Sequence, residues 1–246
     1  MIRYSKFFMI WILAFISYWG YGQDAQKILI QMDELMGAPQ DRVATIEMTL
    51  TNRNEVEKVS EAILKQIGSE YRIYRYTKPE KKAGIATLTL PDGKMWLYMP
   101  SFNKVIKITL LSKSQAFTGT DFSYEDMSGI PYNVRYSATL ENATRADEYL
   151  LSLSPKIDKT EYSKILIAID KTHGFPKQMA FFDKQEALIK KALYTYVKKG
   201  KYWYADEVLM TDLRKEHSTN IKIKEIVFDT GLKTEDFTVE ALKSQE

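Results

Sequence analysis

Along most of the chain the apolar residues recur at every second position. Ile46, Met48 and Leu50 alternate with Glu47, Thr49 and Thr51, the period of a half-buried strand. The same alternation returns at Ala86–Leu90, Val105–Ile108, Tyr149–Leu153, Ile165–Ile169, Met179–Phe181, Leu193–Val197, Trp203–Met210 and Ile221–Ile223. The sidedness slips by one at Ile226 and Phe228, which predicts a bulge. One stretch has a different period. Ala25, Ile28, Leu29, Met32, Leu35 and Met36 form a single helical stripe over Asp24–Met36, with Asp24 as cap and Gly37 and Pro39 as stop signals. Val56–Ile67 fits either period. The pattern leaves it open between helix and strand. Eleven to thirteen short strands spaced by about ten residues argue for an all-β sandwich or barrel rather than a parallel α/β sheet.

Two stretches stand out from this pattern. Met95, Leu97 and Met99 point one way and Trp96 and Tyr98 the other, so both faces of that strand should be covered by apolar material. Asp92-Gly93 before it predicts a hairpin with a type I′ turn. Ser112–Pro131 is then polar and long for a link between strands. In it, Ser123 and Asp126 have capping-box spacing, Phe122 and Met127 the spacing of a hydrophobic staple, and Gly129 and Pro131 end the turn. The segment reads as a flap over one side of the sheet.

The stretch "GKMWLYMPSFNKV" followed by "FTGTDFSYEDM" resembles the LolA-like outer-membrane lipoprotein-sorting proteins, over about Thr45–Leu242 and most closely in Met95–Pro100 and Gly119–Asp126. The resemblance implies a mainly β fold: an unclosed antiparallel β-barrel, or half barrel, with an N-terminal amphipathic helix, a short helical lid and Val56–Ile67 as a strand in a hairpin. It also implies a cavity for acyl chains of lipoproteins or other envelope lipids, moved toward the outer membrane. Implied partners are an inner-membrane RND-type exporter and an outer-membrane acceptor. Under this reading Met48, Leu50, Leu88, Leu90, Trp96, Leu97, Met99 and Phe122 line the cavity, and Met32 and Met36 belong to the lid. No residue matches a lid-locking arginine. The alternative is a periplasmic sensor or adaptor that binds a protein partner through the same sheet without lipid. A continuous apolar cavity favours the carrier; a packed interior with an open edge or exposed patch favours the adaptor.

Composition narrows the chemistry. There is no Cys, which excludes disulfides, thiol catalysis and a lipidated cysteine. The two histidines, His173 and His217, are far apart, and no metal-ligand spacing is visible. No Gly-x-Ser-x-Gly elbow or phosphate-cradling glycine loop occurs. Capping explains Asp126 without acid–base chemistry, although Asp121, Glu125 and Asp126 lie close together. No enzyme, cofactor or metal is expected. The net charge of +3 is spread over mixed Lys and Glu/Asp segments, not the basic face of a nucleic-acid binder. The basic–aromatic run at Glu70–Thr77 is isolated. Residues 1–23 have the parts of a secretory signal: Arg3 and Lys6, an apolar run Phe7–Trp19 too short to span a bilayer, and a small-residue exit at Gly20–Gln23. The expected organisation is a signal peptide over 1–23, cleaved near Gln23, and a single periplasmic domain over 24–246.

Overall fold

The computed structural model describes residues 25–109, 114–157 and 160–244. A helix α1 over residues 25–36 precedes two meanders. The first is β1 (Asp41–Thr51), β2 (Glu57–Ile67), β3 (Tyr71–Lys78), β4 (Ala86–Thr89), β5 (Met95–Met99) and β6 (Lys104–Ile108). The second is β7 (Tyr136–Glu141), β8 (Glu148–Pro155), β9 (Lys164–Asp170), β10 (Pro176–Phe182), β11 (Leu188–Lys199), β12 (Tyr202–Asp212) and β13 (His217–Phe228). Between them lie two one-turn helices, α2 (Tyr124–Met127) and α3 (Tyr132–Arg135). Asp24, the expected cap of α1, and the leader 1–23 lie outside the described residues.

The strands join in one antiparallel sheet of order β6-β5-β4-β3-β2-β1-β13-β12-β11-β10-β9-β8-β7, not closed into a barrel. The ambiguous stretch is strand, as the resemblance implies: Glu57–Ile67 pairs with β1 over its whole length. The bulge in the last strand is present too. Thr45 faces Glu225 and Ile46 faces Ile223, so Lys224 is the extra residue. One turn differs from expectation. At Pro91-Asp92-Gly93 only Gly93 has a positive φ, of 70°, and Gly93 N–H donates to Leu90 O at 2.8 Å. This is a three-residue link with glycine in the left-handed position, not a type I′ turn, because Pro91 adds a residue and Asp92 keeps a negative φ.

The topology explains the long flap. β6 and β7 are consecutive in the chain but sit at opposite edges of the sheet, so their connection must cross one face. Residues 114–135 make that crossing, with Phe117, Phe122, Tyr124 and Met127 buried in the main core. Leu29 and Met32 of α1 enter the same core. This covered side is here termed the inner face. The outer face carries a second, smaller core. Ile73, Leu88 and Tyr98 pack there beneath Phe237 and Leu242 of the C-terminal segment, whose carbonyls at Ala241 and Leu242 accept from Arg75 at 2.8 and 3.1 Å. Strand β5 therefore has apolar cover on both sides. No helix among the described residues is long and apolar enough to cross a membrane.

Candidate functional site

Between the inner face and its cover lies a groove of about 210 Å³. Its floor comes from the middle of the sheet: Ala44 and Ile46, Leu64, Val208, Met210 and Ile221. Period-two alternation puts these side chains on one face. Its cover is Met36 at the end of α1, with Phe122, Met127, Ile130, Pro131, Tyr132 and Arg135 of the crossing segment. Aromatic side chains close one side, with Phe175 stacked on Tyr196 at 4.6 Å and Trp203 beside them at 6.4 Å from Phe175.

The cover is tied down by buried polar contacts, and these use the carboxylates of the flap. Ser123 and Asp126 form the expected capping box at the start of α2. Asp126 also accepts from Tyr162 Oη at 3.0 Å, and Lys190 Nζ reaches that hydroxyl at 3.1 Å. Burial first, then the Asp126 and Glu161 charges, push the Tyr162 phenol well up. Glu125 pairs with Arg135 at 3.1 Å and accepts from Tyr136 Oη and Thr160 Oγ1. Asp121 Oδ2 accepts from the fully buried Thr219 hydroxyl at 2.7 Å, and Thr219 Oγ1 accepts from the Asp121 N–H. Asp33 of α1 accepts from the N–H groups of Tyr132 and Asn133 at 3.0 and 2.7 Å, capping α3. Burial raises the Asp33 carboxyl, against the pull of those two N–H groups. Each of these acids thus has a fastening role.

The groove also holds two arginines on its floor. Arg42, Gln66 and Arg72 face one another across β1, β2 and β3: Arg42 pairs with Gln66, and Gln66 with Arg72. All three line the groove. Among the described residues Arg42 has no hydrogen bond or ion pair. Burial, then the neighbouring Arg72 cation, lower its guanidinium to about 10, with Tyr74 pulling the other way. Among the described residues Arg72 reaches only the Met127 carbonyl of α2, at 3.5 Å, and its Nε is buried without a partner. Gln66 is 1% exposed, and its Oε1 and the Tyr196 hydroxyl are unpartnered as well.

The residues expected at the site divide by face. Met36 and Phe122 line the groove. Met32 and Met48 are buried in the core around it, and Leu97 packs against that core. Leu50 and Met99 are half-buried, in phase with Met48 and Leu97. Leu88, Leu90 and Trp96 require a correction: they belong to the outer-face core under the C-terminal segment. Register is the cause, since Leu88 pairs with Trp96 and so shares its face, opposite to Leu97. Arg42 and Arg72 were absent from the expected set. Their signal in the sequence is parity: Arg42 is in phase with Ala44, Ile46 and Met48, and Arg72 with Tyr74 and Tyr76. His173 is an exposed turn residue 3.0 Å from Asp170, and His217 lies 4.0 Å from Asp121.

Residues 68–244 match the model of a protein family described only as "Uncharacterized protein". No curated protein matches the sequence. Among solved structures, the chain is similar to a domain from Vibrio parahaemolyticus described as outer-membrane lipoprotein-sorting: TM-score 0.84 and 27% identity, over 91% of this chain and 100% of that one. A DUF1329 family protein from Desulfovibrio piger gives a TM-score of 0.81 at 23% identity, over 90% and 99%. A LolA superfamily protein from Nitrosomonas europaea gives 0.75 at 21%, over 88% and 98%.

Proposed function

We propose that this chain, which belongs to the family matched over residues 68–244 and has the LolA-like fold, is a periplasmic carrier that holds acyl chains in the inner-face groove. The observation that carries this is the groove itself: apolar side chains of four central strands left open beneath a cover of Met36, Phe122 and Met127. An acyl chain in water exposes apolar surface at a cost of about 25 cal/mol per Å², and such a groove removes it from water. The cover packs its own apolar residues on the same floor, so cargo and cover compete and loading stays reversible. The similarity to a domain described as lipoprotein-sorting supports a lipidated or lipid cargo bound for the outer membrane. An RND-type exporter as donor, an outer-membrane acceptor and removal of residues 1–23 complete the proposal, which contains no catalytic step.

Native mass spectrometry of protein purified without detergent tests it. Co-purified lipid is expected, and it should be lost in Ala205→Trp, which fills the groove from β12. A bare protein mass together with no uptake of a fluorescent fatty acid would instead favour the adaptor reading.

A further inference from the structure

We infer that the row Arg42–Gln66–Arg72 is a headgroup site, and that the cargo is an anionic amphiphile whose carboxylate or phosphate sits between the two guanidinium groups. The inference rests on the carrier reading and adds the chemistry of the cargo. Arg42 and Arg72 are half-buried in the groove, and cations drawn partly out of water are normally paired. Here two cations share one groove and neither has a carboxylate partner among the described residues. The two carboxylates that line the groove do not serve them. Asp33 is occupied by the N-terminus of α3, and Asp126 by Ser123 and Tyr162. Arg135, the third arginine of the groove, has Glu125.

Register places the row well for an anion. Arg42 and Arg72 are two strands apart, about 10 Å between backbones, and both are long enough to converge over Gln66. Guanidinium groups bind carboxylate and phosphate through paired N–H donors. The unpartnered Gln66 Oε1 accepts a hydrogen bond from either guanidinium or from a headgroup hydroxyl. The row lies near the start of β1 and β3 and the end of β2. From there Ala44, Ile46 and Leu64 continue the same face as an apolar floor. The cations without a carboxylate partner thus sit at one end of an apolar floor, the pattern of an amphiphile. Arg72 also touches the cover at Met127 O, and Gly129 lies against its guanidinium, so a headgroup on Arg72 meets the cover directly.

Calorimetry with dodecyl phosphate, dodecanoate and the neutral dodecyl glycerol ether, all of one chain length, tests this. The wild-type chain is expected to bind at least one anionic probe tenfold or more tighter than the neutral one; which anion wins tells phosphate from carboxylate. In R42Q/R72Q that preference should vanish while neutral binding is kept. Equal affinity for all three probes in the wild type overturns the inference but leaves the carrier reading standing. An anionic preference that survives in R42Q/R72Q overturns it too. Binding of none of the three overturns both. Should the double variant fail to fold, the wild-type comparison decides alone.

Discussion

At the scale of single residues, two positions show how backbone and side chain are coupled around the groove. Gly129 has φ +75°, and a Cβ there would collide with the Arg72 guanidinium and the Ser69 carbonyl. Gly129→Ala is therefore expected to destabilise the fold by about 1–3 kcal/mol, read as a lower thermal midpoint, and to displace Arg72. Asp41 holds the start of the C-terminal segment. Its carboxylate accepts from Thr230 N and Oγ1, both at 2.6 Å, from Gly231 N at 2.8 Å and from Leu232 N at 3.2 Å. Burial acts to raise this carboxyl, but those bonds outweigh it and the group lies below its usual 3.8. A depressed carboxyl contributes stability that is present above pH 3.8 and lost as pH falls through its folded value. Acid unfolding of the wild type should accordingly be steeper below pH 4 than that of Asp41→Ala, which at neutral pH is expected to be less stable by about 2–3 kcal/mol.

Among the elements, the crossing segment and the C-terminal segment each cover one face, and they are fastened differently. The crossing segment uses buried ion pairs and hydrogen bonds. Removing one partner of such a pair leaves an uncompensated charge, so Glu125→Ala should cost about 3 kcal/mol in chemical denaturation; an unchanged midpoint would show that Arg135 finds another acceptor. The C-terminal segment adds apolar anchors, Phe237 and the fully buried Leu242, to its hydrogen bonds with Asp41 and Arg75. Leu242→Ala is expected to cost about 2–5 kcal/mol. Because Trp96 packs against that core while Trp203 lines the groove, the two tryptophans beyond residue 23 report on opposite faces. Loosening the segment should red-shift Trp96 emission, whereas cargo should change Trp203.

For the molecule as a whole, an open sheet of this topology has to spend its long connection on covering one face. The two edges are neighbours in sequence and remote in space, so the segment that joins them is also the segment that shields the groove. On the carrier proposal, release of cargo needs no new hinge. Loosening the ties at Asp33, Asp126 and Thr219 exposes the groove while both meanders stay paired. In hydrogen exchange, the amides of Tyr132 and Asn133 should lose protection before those of β1 and β13. Equal protection of both would mean that the groove opens only by global unfolding.

The sequence by itself determined the strands, the amphipathic helix, the capping box at Ser123–Asp126 and the two-sided cover of Met95–Met99, because these depend on local period and on groups a few residues apart. It also marked Val56–Ile67 as undecided between two periods. Its partner β1 resolved it, since eleven residues in continuous register outweigh a weak helical stripe. The site was less legible. Alternation separates Trp96 from Leu97, but Leu88 and Leu90 carry the same apolar signal, and only the register with β5 assigns them to the face of Trp96. Arg42 and Arg72 are thirty residues apart in the chain and become neighbours of one glutamine through two hairpins. Their lack of a counter-charge among the described residues is a property of everything around them, and no local pattern encodes it.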